Sequence, residues 1–248
     1  MPLLLAALRE EHVDDGLVGN AGAARLLLEV VDVRLVDVHR HRPADASRLI
    51  SLSQICQSNK QQLFSRRLDL WCATESLAGL YRERSKQLEW ADEPQLAASF
   101  DFVCLTNTSL LQDISSCISH PMEGDYHLRF HLKLDELKRM ASEARFVFKG
   151  RPGLAIADFL ESYQGLLFSL YRYEVTLGEM KRIGAHRHCF LEEAAASVGE
   201  NERRVKLFEA KDKLKASFEK LAAREMTGRI KRQMRLASTL KDRFDTFF

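Results

Sequence analysis

Apolar positions along this chain recur mostly at steps of three and four. From Leu49 such steps land on Leu52, Cys56, Asn59, Leu63, Arg66, Leu70, Ala73, Leu77, Leu80, Arg84 and Leu88. Eight of these twelve positions are Leu or Ala, which predicts one long helix. Asp45 and Ser47 of "ADAS" supply capping side chains ahead of it, and "DEP" with Pro94 ends it. The same count from Leu96 passes through Phe100, Val103, Asn107, Leu110, Ile114 and Cys117, predicting a second helical run that stops at "SHPMEGDY". Pro121 and Gly124 break the pattern there. After Tyr126 two periods compete. Tyr126, Leu128, Phe130, Leu132 and Leu134 alternate as in a strand, whereas Leu137, Ala141, Ala144 and Phe148 keep helical spacing; charge and neighbours favour helix.

"KGRPG" at 149–153 interrupts again, and a heptad seam follows through Phe159, Tyr163, Leu166, Leu170, Tyr173, Leu177 and Met180, weakening at Gly184, Arg187 and Leu191. "ASVGEN" reads as a turn, with Gly199 as the C-terminal signal of one helix and an acidic first turn opening the next. In that last helix Leu207, Leu214 and Leu221 recur every seven residues, and Met226, Ile230, Met234, Ala237, Leu240, Phe244 and Phe247 continue the stripe after a shift of phase. One helix from about Glu200 to near Phe248 would be about 70 Å long, which suits an extended bundle.

Composition agrees with long helices: 12 Gly and 5 Pro leave few turns in 248 residues. The first 45 residues stand apart, with no Lys, Phe, Tyr or Trp and a β-like "LLLEVVDVRLVDVH". Two segments are therefore expected, an atypical extension over 1–45, with disorder among its readings, and a helical domain over 46–248. Five cysteines (Cys56, Cys72, Cys104, Cys117, Cys189) fall singly with no paired motif, as in a reducing compartment. "MPLLLAAL" is too short for a signal-peptide core and no apolar run approaches 18 residues, so the expectation is a soluble intracellular chain able to lie on a membrane.

A net charge of +2 excludes a polyanion binder acting through the whole chain, but residues 200–248 carry fourteen Lys and Arg against eight acids. The cations thicken toward the end: Lys211, Lys213, Lys215, Lys220, Arg224, Arg229, Lys231, Arg232, Arg235, Lys241 and Arg243, against four acids. These eleven form the candidate lipid-binding set, since each Lys or Arg near an anionic leaflet is worth about 1 kcal/mol. The competing reading is a solvated helix face. A nucleic-acid reading would need an aromatic platform, and the aromatics fall on the apolar stripe instead.

Catalytic and metal constellations are sparse. His127 and His131, with Asp135, would share a helix face, but no further ligand is evident and ordinary polar positions are the plainer reading. "HRHC" at 186–189 spaces its ligand types two apart, on different sides of a helix, and "HRHRP" at 39–43 falls in the atypical extension. "NTS" at 107–109 is a chance match to a glycosylation acceptor. No Gly-rich phosphate loop, GxSxG elbow or cofactor motif occurs. The expectation is a non-enzyme with no metal and no cofactor.

The segment "ADFLESYQGLLFSLYRYEVTLGEMKRIGAHRHCFLEEA", with its acidic-aromatic opening, leucine seam and basic exit, resembles the end of the second helix of the BAR domain of sorting nexins. "KASFEKLAAREMTGRIKRQMRLASTLKDRF" is similar to the third helix of that domain, in its Phe-Glu pair, scattered basics and late Leu-Lys-x-x-Phe. The resemblance covers about 200 residues from Ala46 to Phe248. It implies an all-α, elongated antiparallel three-helix coiled coil that forms a homodimer or heterodimer. It also implies binding of curved anionic phospholipid membrane in endosomal sorting and a cytoplasmic protein peripheral on endosomes, with no nucleic-acid partner expected. The chain departs from the family in lacking room for the phosphoinositide-binding phox domain ahead of the BAR region. A reading of another class keeps the basic face for an acidic protein partner, in a coiled-coil scaffold or assembly subunit.

Overall fold

A computed structural model describes residues 43–90, 94–187 and 190–234. All regular structure among them is helical, so the protein is all-α. The chain divides into two compact units, Met1–Cys56 and Gln57–Phe248. The described part of the first is the opening of one helix; the β-like stretch and "HRHR" lie outside the described residues.

In chain order the elements are α1 (Pro43–Trp90), α2 (Pro94–Thr106), a 3-10 helix (Gln112–Ile118), α3 (Gly124–Val147), α4 (Arg151–Arg187), α5 (Leu191–Val198), α6 (Glu200–Ala222) and α7 (Arg224–Met234). The core of the second unit gathers round α4. All seven positions of the seam from Phe159 to Met180 are buried, and so are Ile156 just before it and Leu160, Leu167 and Tyr171 within it. Burial therefore covers most of the circumference of α4, wider than the a/d stripe of a two-stranded coiled coil. α6 and α3 pack most extensively on it, joined by α2 and α5. Each fully buried Leu or Phe contributes roughly 1.5–3 kcal/mol, which makes α4 the main organiser of this core.

The competition of periods after Tyr126 resolves as helix. Phe130, Leu134, Leu137, Ala141 and Ala144 form the buried face of α3, while Leu128 and Leu132, the positions that mimicked a strand, are exposed. The long first helix is also present, but in the second unit its buried positions concentrate at Leu70, Thr74, Leu77, Ala78 and Tyr81.

Two expectations need correction. The run from Leu96 to Cys117 is not one helix: α2 ends at Thr106, whose hydroxyl donates back to the Phe102 carbonyl at 2.9 Å. Asn107, Thr108 and Ser109 then turn the chain, with the Thr108 carbonyl accepting from the Leu111 and Gln112 amides. Short polar side chains compete with helical backbone bonding in this way. Leu111, Ile114 and Cys117, three residues apart and buried, then suit the threefold 3-10 turn.

The second correction is the final helix, which breaks at Ala223 (φ −54°, ψ 131°). The apolar stripe explains why. Ile230 lies nine residues beyond Leu221, about 180° round an uninterrupted helix. One extended residue restores the phase, so Leu221 and Ile230 are both buried. The 23 residues of α6 span about 35 Å, half the length expected for the whole segment.

Two glycines make the corners. Gly199 closes α5 in the left-handed conformation (φ 66°), its amide donating to Ala195 and Ala196. Gly153 lies in the first turn of α4 against the end of α3. A Cβ there would sit 2.6 Å from the Phe148 carbonyl oxygen and 2.8 Å from that of Ala144. The α3–α4 corner is this tight because position 153 has no side chain.

Candidate functional site

The helices that carry the basic cluster are fixed by their apolar faces. Leu207, Leu214 and Leu221 turn one side of α6 into the core. Lys213 and Lys220, with Lys206 one heptad earlier, each precede one of these leucines and align along one flank about 100° away. Lys213, Lys215, Lys220, Arg224, Lys231 and Arg232 are exposed. Arg229 is half-buried and bonds the Glu225 carboxylate through Nη2 at 2.6 Å and Nε at 3.1 Å. Arg235, Lys241 and Arg243 lie outside the described residues. Glu209, one turn before Lys213, shares this flank, and Asp212 and Glu219 are exposed on α6 as well, so cations and acids mix there rather than forming a uniformly basic face.

Lys211 differs from the others. Its ammonium reaches across to α2 and bonds Asp101 Oδ2 at 3.0 Å, with side-chain exposures of only 12% and 5%. Burial pushes the Asp101 carboxyl above its ordinary range, against the opposing pull of Lys211. The structure thus employs this lysine in joining α2 to α6.

Polar contacts that spacing does not reveal hold α6 and α7 in place. The buried Tyr173 phenol of α4 donates to the buried Glu200 carboxylate in the first turn of α6, where a negative charge also suits the helix dipole. Gln233 of α7 makes a reciprocal pair with Lys149, accepting from its amide at 2.8 Å and donating to its carbonyl at 2.9 Å. Arg67 of α1 donates from Nε to the Val147 carbonyl at 2.5 Å, and from Nη1 to that of Gln233 at 2.8 Å. Its guanidinium lies 5.8 Å from the Phe148 ring centre. Arg67 and Gln233 are 166 residues apart, and nothing in the local pattern marks either.

His127 and His131 do meet, with ring centres 4.4 Å apart on α3. Asp135, one turn on, is exposed. Among the described residues no group of three or more His, Cys, Asp or Glu could hold a metal ion. His186 is exposed at the end of α4; Cys189 lies outside the described residues. Among the described residues no helix is long and apolar enough to cross a membrane. No protein-family model matches the chain, and no significantly similar curated protein or solved structure was found.

Proposed function

We propose that the protein is a non-enzymatic, peripheral membrane-binding helical module. In this reading its α6–α7 cations meet anionic phospholipid headgroups, and a BAR-like dimer of the helical domain senses or generates curvature in endosomal sorting. The observation that carries this is the exposure together of Lys213, Lys215, Lys220, Arg224, Lys231 and Arg232 on two adjoining helices whose other sides are locked into the core. Lys213 and Lys215 flank Leu214 on opposite sides of α6, so one leaflet meets only the cations that share a side; at about 1 kcal/mol each these give modest affinity, which a dimer would multiply.

Exposed Val205 and Phe208 on the same helix support a second reading, a scaffold whose basic flank and apolar side chains meet an acidic protein partner. The two separate on lipid binding. The full chain is to be sedimented with liposomes of rising anionic content and falling diameter, at low and high salt, beside Lys213→Glu/Lys220→Glu/Lys231→Glu. The membrane reading expects binding that rises with charge and curvature, falls with salt, and drops at least about a hundredfold in the variant. Absence of binding at low salt, or binding indifferent to the charge reversal, would refute it and leave the scaffold.

A further inference from the structure

Where α3, α4 and the start of α6 meet, a cleft of about 300 Å³ opens to the surface. His127 and His131 reach it from α3, Arg172 and Thr176 from α4, and Arg203 from α6. Phe168 and Val175 supply an apolar wall. Among the described residues no carboxylate lines it. Two guanidiniums brought together from different helices, with no acid among the described lining side chains, repel a cation and attract an anion.

We propose that this cleft binds a phosphoryl group, carried either by a small organic phosphate or by a lipid headgroup. Its donors are held in place. The Tyr171 hydroxyl accepts from the Met122 amide at 2.8 Å and lies 3.1 Å from His127 Nδ1. This contact holds the His127 ring beside Tyr171 at the cleft. Met122, which also lines the cleft, adopts the left-handed region (φ 66°), a conformation uncommon for a side-chain-bearing residue. The Arg172 guanidinium is stacked 5.4 Å from the Phe168 ring centre, which limits its freedom while leaving its N–H fork for a ligand. Thr176 is committed elsewhere, donating to the Arg172 carbonyl at 3.0 Å.

Glu202 is the nearby acid to be weighed. Its carboxyl is held below the ordinary range by Lys206 first, and by Arg203 and Arg172 after it. It is exposed and bonded to Lys206, so both arginines sense its charge without being occupied by it in the cleft. Two arginine forks and the imidazole pair offer more donors than a carboxylate's two oxygens need, and match the three terminal oxygens of a phosphate monoester. Phe168 and Val175 leave room beside them for an apolar or ring-bearing substituent. This site is separate from the α6–α7 basic flank, and neither reading depends on the other.

The test uses the full chain with phenyl phosphate, inorganic phosphate and benzoate, followed through the His127 and His131 ring resonances. A second arm uses vesicles of phosphatidylcholine alone or with added phosphatidylinositol phosphate. Saturable shifts with phenyl phosphate, much weaker ones with benzoate, and a loss of about tenfold or more in Arg203→Gln and Arg172→Gln are expected, with Arg139→Gln on the outer face of α3 as the unaffected control. Retention of phosphorylated vesicles that either arginine variant abolishes would assign the group to a headgroup, and a response in solution alone to a free ester. No response in either arm, equal response to benzoate, or binding untouched by both arginine variants would overturn the proposal. Far-UV circular dichroism shows that the variants are folded.

Discussion

Replacing Lys211 with Met should unfold the protein far more readily than any other change in the basic cluster. The ammonium lies 3.0 Å from Asp101 Oδ2 with both side chains nearly sequestered. Two unit charges at that distance attract by about 5 kcal/mol at an effective dielectric near 20, and desolvation takes back a large share. The variant keeps the desolvation and loses the attraction, stranding the carboxylate; the expected loss is about 3–5 kcal/mol. Asp101→Asn should cost less, because the lysine stem is long enough to carry its charge toward water. The double variant should recover part of the Lys211→Met loss.

The pH dependence follows from the direction of the Asp101 shift. Burial raises its folded value, so the native state holds this proton more tightly than the unfolded chain does. Its contribution to stability is complete below the unfolded value, near 3.9, and is lost as pH rises through the folded value. Without Lys211 the carboxyl rises further, and Lys211→Met should therefore regain stability relative to the natural protein on acidification. Urea unfolding followed by circular dichroism at two pH values, with the slope checked for constancy, measures both effects. A Lys211→Met loss under about 0.5 kcal/mol, or an Asp101→Asn loss larger than it, would refute the account of a buried pair.

Two further substitutions probe the core. Gly153→Ala would gain up to about 1 kcal/mol from helix propensity, but its Cβ collides with carbonyl oxygens at 2.6 and 2.8 Å, so a net loss of about 1–3 kcal/mol is expected in thermal unfolding and a stabilised variant would show that the corner yields. Tyr163→Phe removes the phenol that donates to the Leu105 carbonyl at 2.6 Å and should cost about 1–3 kcal/mol near neutral pH. Burial pushes that phenol up, so its contribution fades above about pH 10 and the deficit of the variant should shrink there; a deficit constant with pH would contradict this.

The helical class, the α4 seam and the Gly199 turn were legible because each depends on neighbours in sequence. A heptad of large apolar residues and a glycine after an apolar run are local signals. What the pattern hid was relational. Lys211 looks like Lys213 or Lys220 in the sequence, and only the approach of α2 makes it an internal partner of Asp101. The break at Ala223 was present as a change of phase in the stripe, and nine residues from Leu221 to Ile230 already conflict with one continuous helix. The histidine pair was visible by its spacing of four. Arg172 and Arg203, which give that pair its electrostatic meaning, come from helices that sequence distance does not connect.

The α6 helix ties the two proposed binding features to one packing register. Arg203 lies one turn before Leu207, on the packed side, and contributes to the cleft. Lys213 and Lys220 lie about 100° round from the Leu207–Leu214–Leu221 line and face solvent. The rotation that buries those leucines therefore sets both the guanidinium in the cleft and the lysines on the flank. Tyr173 and Glu200 fix the start of the helix, and the Asp101–Lys211 pair fixes its middle. A charge can be removed from either feature alone, since flank and cleft share no side chain. A change in the leucine register would displace both together, because rotation of one helix carries every residue on it.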